Sequence, residues 1–294
     1  MNFNMNFKMR KIFLYKFILF SAFIFTNVFV FKSMKLLVFE LVAIVIYGFF
    51  YSKKAKRTVI KLKSKKIRGK YKAIFFADYH SNPADGINDI IKSESEDADF
   101  IFLGGDIVDD KAENFKVDEL FSTIGEKRAF YVLGNHEVRR KDLSDLIKYF
   151  KNNSTYLTRK TSPISISNFD IYGIDDVTVN ENDFNYSLLY FKEQLDMKKF
   201  NILLVHRPEY FEKYLEAGFD LVLTGHAHAG HARLPFIGAI VAPGQGFFPR
   251  YQKGLYTKGE QNMFLTSGSS KKKYLVPRFF NKPEVVIINF MEEL

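Results

Sequence analysis

The sequence predicts an α/β domain carried behind an apolar helical hairpin. Three observations carry this expectation. Short apolar runs of strand length alternate with helix-like stretches through residues 71–294. Two long apolar runs precede them, within residues 1–51. Several strand-like runs end abruptly in acids and histidines, as in FFADYHSN at 75–82.

The N-terminal segment is set apart by charge and hydropathy. Residues 1–70 hold 16 Lys/Arg and one acid, Glu40, while the remainder holds 27 basic and 32 acidic residues. The formal charge of +10 is therefore the sum of a basic leader and a domain of net −5. That balance argues for an anionic membrane face and against nucleic acid as partner. Ile12–Phe31 is broken only by Lys16, Ser21, Thr26 and Asn27, and Met34–Tyr51 only by Lys35 and Glu40. A helix crosses the hydrocarbon core with roughly 20 mostly apolar residues. Residues 1–51 are accordingly expected to form a membrane anchor of two transmembrane helices. The alternative is a signal peptide followed by a buried helix.

The flanking lysines and arginines favour a hairpin with both ends cytoplasmic, with the domain on the cytoplasmic face. RKIFLYK at 10–16 cuts the other way, because it resembles a twin-arginine export signal. Residues 52–70 carry ten basic residues and read as a linker, within which TVIKL (58–62) alternates like an edge strand.

Residues 71–294 form the expected globular domain. Strand-like runs fall at 72–77, 100–103, 129–133, 164–166, 170–174, 202–205, 221–224, 263–266 and 285–289. Helix-like stretches fall at 82–93, with Asn82 as cap and Pro83 in the first turn, and at 117–124, 140–152, 186–198 and 208–218, the last closed by Gly218. Residues 230–260 are rich in Gly and Pro and read as long loops. In such a fold, ligands bind at the carboxyl ends of the strands.

Five polar clusters occupy those ends: Asp78 with His80, Asp106 in GGDIVDD, Asn135 and His136 in GNHE, His206 in LLVHRPE, and His226 with His228 in TGHAHAGH. Five of the six histidines lie in these clusters, and the sixth, His231, follows three residues after the last. Carboxylates gathered in a cleft without a cation repel one another and take up protons. A pair of divalent metals removes that cost, and nitrogen and oxygen ligands without thiolate suit Mn, Zn or Fe. The chain has no cysteine, so thiolate sites and cysteine nucleophiles are excluded. A spacing of two on a strand would aim Asp78 and His80, or His226 and His228, at the same ion or at adjacent ions. Asp109, Asp110 and Glu137 read as turn or supporting acids, Asp175-Asp176 as a loop turn, and Arg278 as part of a charged face. Phe247, Phe248 and Tyr251 read either as an apolar lip for an acyl chain or as loop packing.

The ordered set D-x-H, G-D-x-x-D, G-N-H-E, a lone His after a strand and G-H-x-H resembles the calcineurin-like metallophosphoesterases. The tail from APGQGFFPRYQ onward resembles the membrane-associated bacterial branch, which includes UDP-2,3-diacylglucosamine hydrolases. This resemblance implies a four-layer α/β/β/α sandwich. It implies one metal held by Asp78, His80, Asp106 and His228, and a second held by Asp106, Asn135, His206 and His226. His136 would be the catalytic residue facing the phosphate. Where that branch reads Gly-Gly-Gln after the second histidine, this chain has Ala229, Gly230 and His231.

The resulting expectation is a membrane-anchored hydrolase with two divalent metal ions. A metal-activated hydroxide would attack the phosphorus of a phosphodiester or pyrophosphate in a small, lipid-linked substrate such as UDP-2,3-diacylglucosamine. The alternatives are a general phosphodiesterase or phosphatase of the cell envelope, or a catalytically inactive scaffold of the same fold.

Overall fold

The computed structural model describes residues 18–26, 34–113, 115–271 and 278–293. The helices are α1 (Met34–Tyr51), α2 (Ile87–Ser95), α3 (Asp118–Ile124), α4 (Asn135–Val138), α5 (Leu143–Asn153), α6 (Glu181–Gln194) and α7 (Phe211–Ala217). The sheet strands are β1 (Lys56–Ser64), β2 (Lys70–Phe76), β3 (Phe100–Leu103), β4 (Ala129–Tyr131), β5 (Thr155–Tyr156), β6 (Ile164–Ile166), β7 (Phe169–Ile174), β8 (Phe200–Val205), β9 (Leu221–Thr224), β10 (Gly254–Lys258), β11 (Gln261–Leu265) and β12 (Glu284–Glu292).

They form two six-stranded sheets, ordered β1-β12-β2-β3-β4-β5 and β10-β11-β9-β8-β7-β6. Both are mixed. In the first, β2 to β5 run parallel and β12 is antiparallel to β2; in the second, β11, β9, β8 and β7 run parallel between antiparallel edges. Period-two alternation decides what each strand face meets. Ile74 and Phe76 of β2 join one buried cluster with Ile87, Leu120 and Phe150 from the helices. Ala73 and Phe75 join a second, between the sheets, with Phe102, Ile202, Leu204 and Ile288. Leu203 and Val205 join a third with Phe191 and Tyr214 of α6 and α7. Three cores thus separate four layers, α/β/β/α, the arrangement implied by the motifs.

Several local expectations change. The alternating run at 58–62 is part of a nine-residue edge strand, β1, paired in parallel with β12. The helix expected from Asn82 begins five residues later, because 83–86 turn back and Pro83 bridges to Ser270. Helix α6 starts earlier than expected, where the Asn180 side chain accepts from the N–H groups of Asn182 and Asp183. The loop-like region 230–260 contains two short hairpins, 233–239 and 241–247, and the edge strand β10. Strands of two residues carry too little alternation to read from sequence.

The membrane hairpin is not supported. The second apolar run is helical over its expected bounds, but among the described residues no helix is long and apolar enough to cross a membrane. The first run lies partly outside the described residues, with 18–25 helical. Helix α1 instead leaves much of its apolar surface uncovered, with Phe39 69% and Phe50 64% exposed.

Candidate metal centre

Each ligand candidate follows a strand of one sheet or the other, and the two sheets bring their carboxyl ends to one buried cluster of side chains. The local backbone is not the extended chain assumed above. Strand β2 ends at Phe76, and Asp78 and His80 lie beyond it with φ of 54° and 51°. Asp106, His226 and His228 are also left-handed, at 54°, 67° and 46°. Non-glycine residues in this region are costly and persist where the surroundings over-determine them. Here Asp78 N–H donates to Gly105 O at 3.0 Å and His80 N–H to Asp106 O at 2.9 Å, lacing the first two loops together. The side chains converge because the backbone kinks at alternate residues, not because a strand alternates.

Two groups result. Asp78, His80 and His228 offer ligand atoms within 4.8 Å of one another, and so do Asp106, His206 and His226. Asp106 joins them: its Oδ2 lies 3.2 Å from His206 Nε2, 3.9 Å from His80 Nε2 and 4.0 Å from His136 Nε2. His228 Nε2 is 3.5 Å from Asp78 Oδ1 and 3.4 Å from His80 Nε2. Two imidazole nitrogens on one tetrahedral zinc, at Zn–N near 2.0–2.1 Å, would stand about 3.3–3.4 Å apart. His206 Nδ1 is 2.8 Å from Gly104 O, so it carries a proton and leaves Nε2 as the nitrogen facing the acids, the one a bound cation would deprotonate. Asn135 opens α4, and its Oδ1 is buried with no hydrogen-bond partner, the state of a ligand oxygen. The donor set therefore fits a pair of divalent cations.

The electrostatics agree. Burial pushes Asp78 up to about 6. Burial works against the charge on Asp106, but His206, through charge and hydrogen bond, holds it well below the usual carboxylate range. Burial likewise disfavours charge on His206, yet Asp106 and then Asp78 raise it to about 10. Burial and the charge of His206 lower His226 to about 3. A cluster that holds protons in this way is one from which cations release them.

The surrounding residues fix these groups. His136 N–H donates to Asp106 Oδ1 at 2.7 Å, and its Nδ1 lies 3.0 Å from Asp110 Oδ1. Asp109 Oδ2 stands 3.4 Å from His80 Nδ1. Glu137 is buried and accepts the N–H groups of Asp106, Val108 and Gly134 at 2.9, 2.8 and 2.9 Å. Burial and the charge of Asp106 push its carboxyl up to about 8. Gly134 has no room for a side chain, since a Cβ would lie 2.3 Å from Asp106 Oδ1.

Other expectations are corrected. Arg278 is not on an exposed face: it is 8% exposed, and its guanidinium donates to the carbonyls of Ser267 and Ser270. Asp176 is not a simple turn residue, since it is buried against Arg207 at 2.7 Å. Asp175 accepts from Leu133 N–H at 3.0 Å. Phe247 and Phe248 are exposed, but Tyr251 packs inward on Phe211. His231 is buried and stacked on His228, with ring centroids 4.6 Å apart. Asn281 also reaches the site, its Nδ2 donating to His228 O at 2.8 Å. A lone Asn carries no signal by itself.

A fold of two mixed sheets with such a cleft defines a metal-site α/β protein. The calcineurin-like phosphoesterase family model matches residues 71–230, and the chain belongs to this family. It is 30% identical over 221 residues to an uncharacterized metallophosphoesterase of Campylobacter jejuni, covering 71% of this chain and 54% of that one. It is 32% identical over 121 residues to the uncharacterized metallophosphoesterase YkuE of Bacillus subtilis, covering 41% of this chain and 40% of that one. It is 27% identical over 241 residues to phosphodiesterase YaeI of Escherichia coli, covering 75% of this chain and 82% of that one.

Proposed function

We propose that the chain is a hydrolase of phosphodiester or pyrophosphate bonds that works with two divalent cations at a membrane face. The observation that carries this is the convergence of Asp78, His80 and His228 beside Asp106, His206 and His226, with Asp106 Oδ2 3.2 Å from His206 Nε2 and 3.9 Å from His80 Nε2. With Asn135, these residues would hold the cations, Asp106 between them. Such a pair supplies Lewis-acid activation of water and neutralises charge on the phosphoryl group.

The chain's own residues supply the rest. His136 would sit beside the phosphoryl oxygens, donating to charge that develops there and delivering a proton to the leaving group. Asp110 holds its ring from the other nitrogen. Glu137 and the packing at Gly134 keep Asp106 from moving.

Support for a membrane face comes from three features: the uncovered apolar surface of α1, the basic edge strand β1 that follows it, and the exposed Phe247 and Phe248. Exposed apolar surface beside basic charge suits an anionic lipid surface. We place the domain on the cytoplasmic face of a bacterial inner membrane. A diacylated nucleotide-sugar pyrophosphate such as UDP-2,3-diacylglucosamine is the first substrate to test. The phosphodiesterase name of the Escherichia coli relative supports the reaction class.

The test is a substrate panel after Mn or Zn loading, containing bis-p-nitrophenyl phosphate and the diacylated pyrophosphate. Turnover of either, abolished by chelation, supports the reading. Turnover of neither would reject it. A reporter fused at the C-terminus reads the membrane face.

A further inference from the structure

The metal-ligand loop 228–231 and the apolar helix α1 are joined through one buried side chain. Asn281 is 0% exposed. Its Nδ2 donates to His228 O at 2.8 Å and to His231 O at 3.1 Å. Its backbone N–H donates to Ser52 Oγ at 3.0 Å, and Ser52 Oγ donates to Gly48 O at 2.9 Å, on the last turn of α1. The neighbours repeat the link. Phe279 N–H donates to His231 O at 3.2 Å, and Phe280 N–H to Gly48 O at 3.3 Å.

The helix is seated on this segment by rings. Tyr47 and Tyr51 pack on Phe280 at 5.8 and 6.1 Å between centroids, and Phe49 on Phe279 at 5.7 Å. Lys282 Nζ lies 4.4 Å over the Tyr51 ring. Gly48 is where the helix backbone meets Phe279, since a Cβ there would stand 2.2 Å from the ring.

The loop at the other end needs holding. His228, Ala229 and His231 have φ of 46°, 52° and 50°. Left-handed non-glycine residues in sequence keep their geometry only when the surroundings impose it. The Asn281 amide ties both ends of this turn with its two N–H groups.

We propose that Asn281 is a positioning residue through which the seating of α1 sets the place of His228, and with it the affinity of the cation subsite formed by Asp78, His80 and His228. This rests on the two-cation reading above. Among the described residues, Asn281 and α1 make no hydrogen bond to Asp106, His206 or His226, and this subsite would not respond.

The experiment is competitive Mn and Zn titration of the full chain with a chelating indicator, resolving two binding steps. His228→Ala identifies the step belonging to the first subsite. Asn281→Ala is expected to weaken that same step by about 10- to 100-fold, the usual consequence of removing a group that orients a ligand. Gly48→Leu, which touches no ligand, is expected to weaken it in the same direction and to leave the other step unchanged. Should Gly48→Leu fail to fold, Ser52→Ala carries the same expectation at smaller size. Unchanged affinity of the first step in folded Asn281→Ala overturns the proposal, and so does equal weakening of both steps. Absence of binding by the unsubstituted chain would instead overturn the two-cation reading itself.

Discussion

Replacing Glu137 tests whether the centre is held by its supporting shell. Three buried backbone N–H groups, of Asp106, Val108 and Gly134, end on the oxygens of this carboxyl group. Each buried donor left without an acceptor costs about 1–3 kcal/mol. Glu137→Ala leaves all three donors without an acceptor, a loss of about 3–9 kcal/mol before any water enters the vacated space. Total stabilities of domains run to about 5–15 kcal/mol, so this variant should retain little cooperative folding. Glu137→Gln is milder. Its single carbonyl oxygen can serve Asp106 and Gly134, which share Oε2, leaving its NH2 against the Val108 donor. One lost bond then costs about 1–3 kcal/mol. Urea unfolding followed by far-UV circular dichroism, with chelator present, reads both variants. An alanine variant within about 0.5 kcal/mol of the parent, the range of an ordinary surface change, would refute the reasoning.

Other consequences follow from the same geometry. On the proposed role of His136 beside the phosphoryl oxygens, His136→Ala should lose about 10²–10⁴-fold in hydrolysis of bis-p-nitrophenyl phosphate while keeping its bound metal. Elemental analysis of the purified variant checks the second half, and loss of metal would make His136 a ligand instead, as its place beside His80 and Asp106 also allows. Asp106→Ala should lose both metal and turnover, since its Oδ2 stands 3.2 Å from His206 Nε2 in one group and 3.9 Å from His80 Nε2 in the other. Asp176→Asn breaks a buried pair with Arg207 and should cost about 3–5 kcal/mol of unfolding free energy near neutrality. Burial opposes the charge on Asp176, but Arg207 outweighs it and holds the carboxyl below its ordinary 3.8. A depressed pKa contributes stability that is complete above 3.8 and lost as pH falls below it, so the difference between Asp176→Asn and the parent should shrink in that window.

The sequence and the structure agree best where chemistry forces residue type. Histidines and acids following apolar runs have few other uses, so the ligand candidates could be named before any coordinates. What brings them together was not visible. Asp78 and His80 converge through left-handed kinks beyond the end of β2, and nothing in an Asp, Tyr, His triplet announces a positive φ. Charge was equally ambiguous. Arg278 looks like any lysine-flanked surface arginine until the fold puts the carbonyls of Ser267 and Ser270 against it. Asn281 reaches a loop some 50 residues earlier in the chain, and local pattern carries no trace of such a contact. Hydropathy is ambiguous at the apolar runs for a related reason, and among the described residues no helix is long and apolar enough to cross a membrane. Hydropathy records that Met34–Tyr51 avoids water, but not that Gly48, Phe49 and Tyr51 cap the loop beside His228.

The most direct measurement is metal stoichiometry and position in the full chain. After Mn or Zn loading and removal of excess, two ions per chain are expected, with anomalous scattering placing one beside Asp78, His80 and His228 and the other beside His206 and His226, both in contact with Asp106. A loaded protein with no ion in this cleft, or with ions bound by other residues, would contradict it.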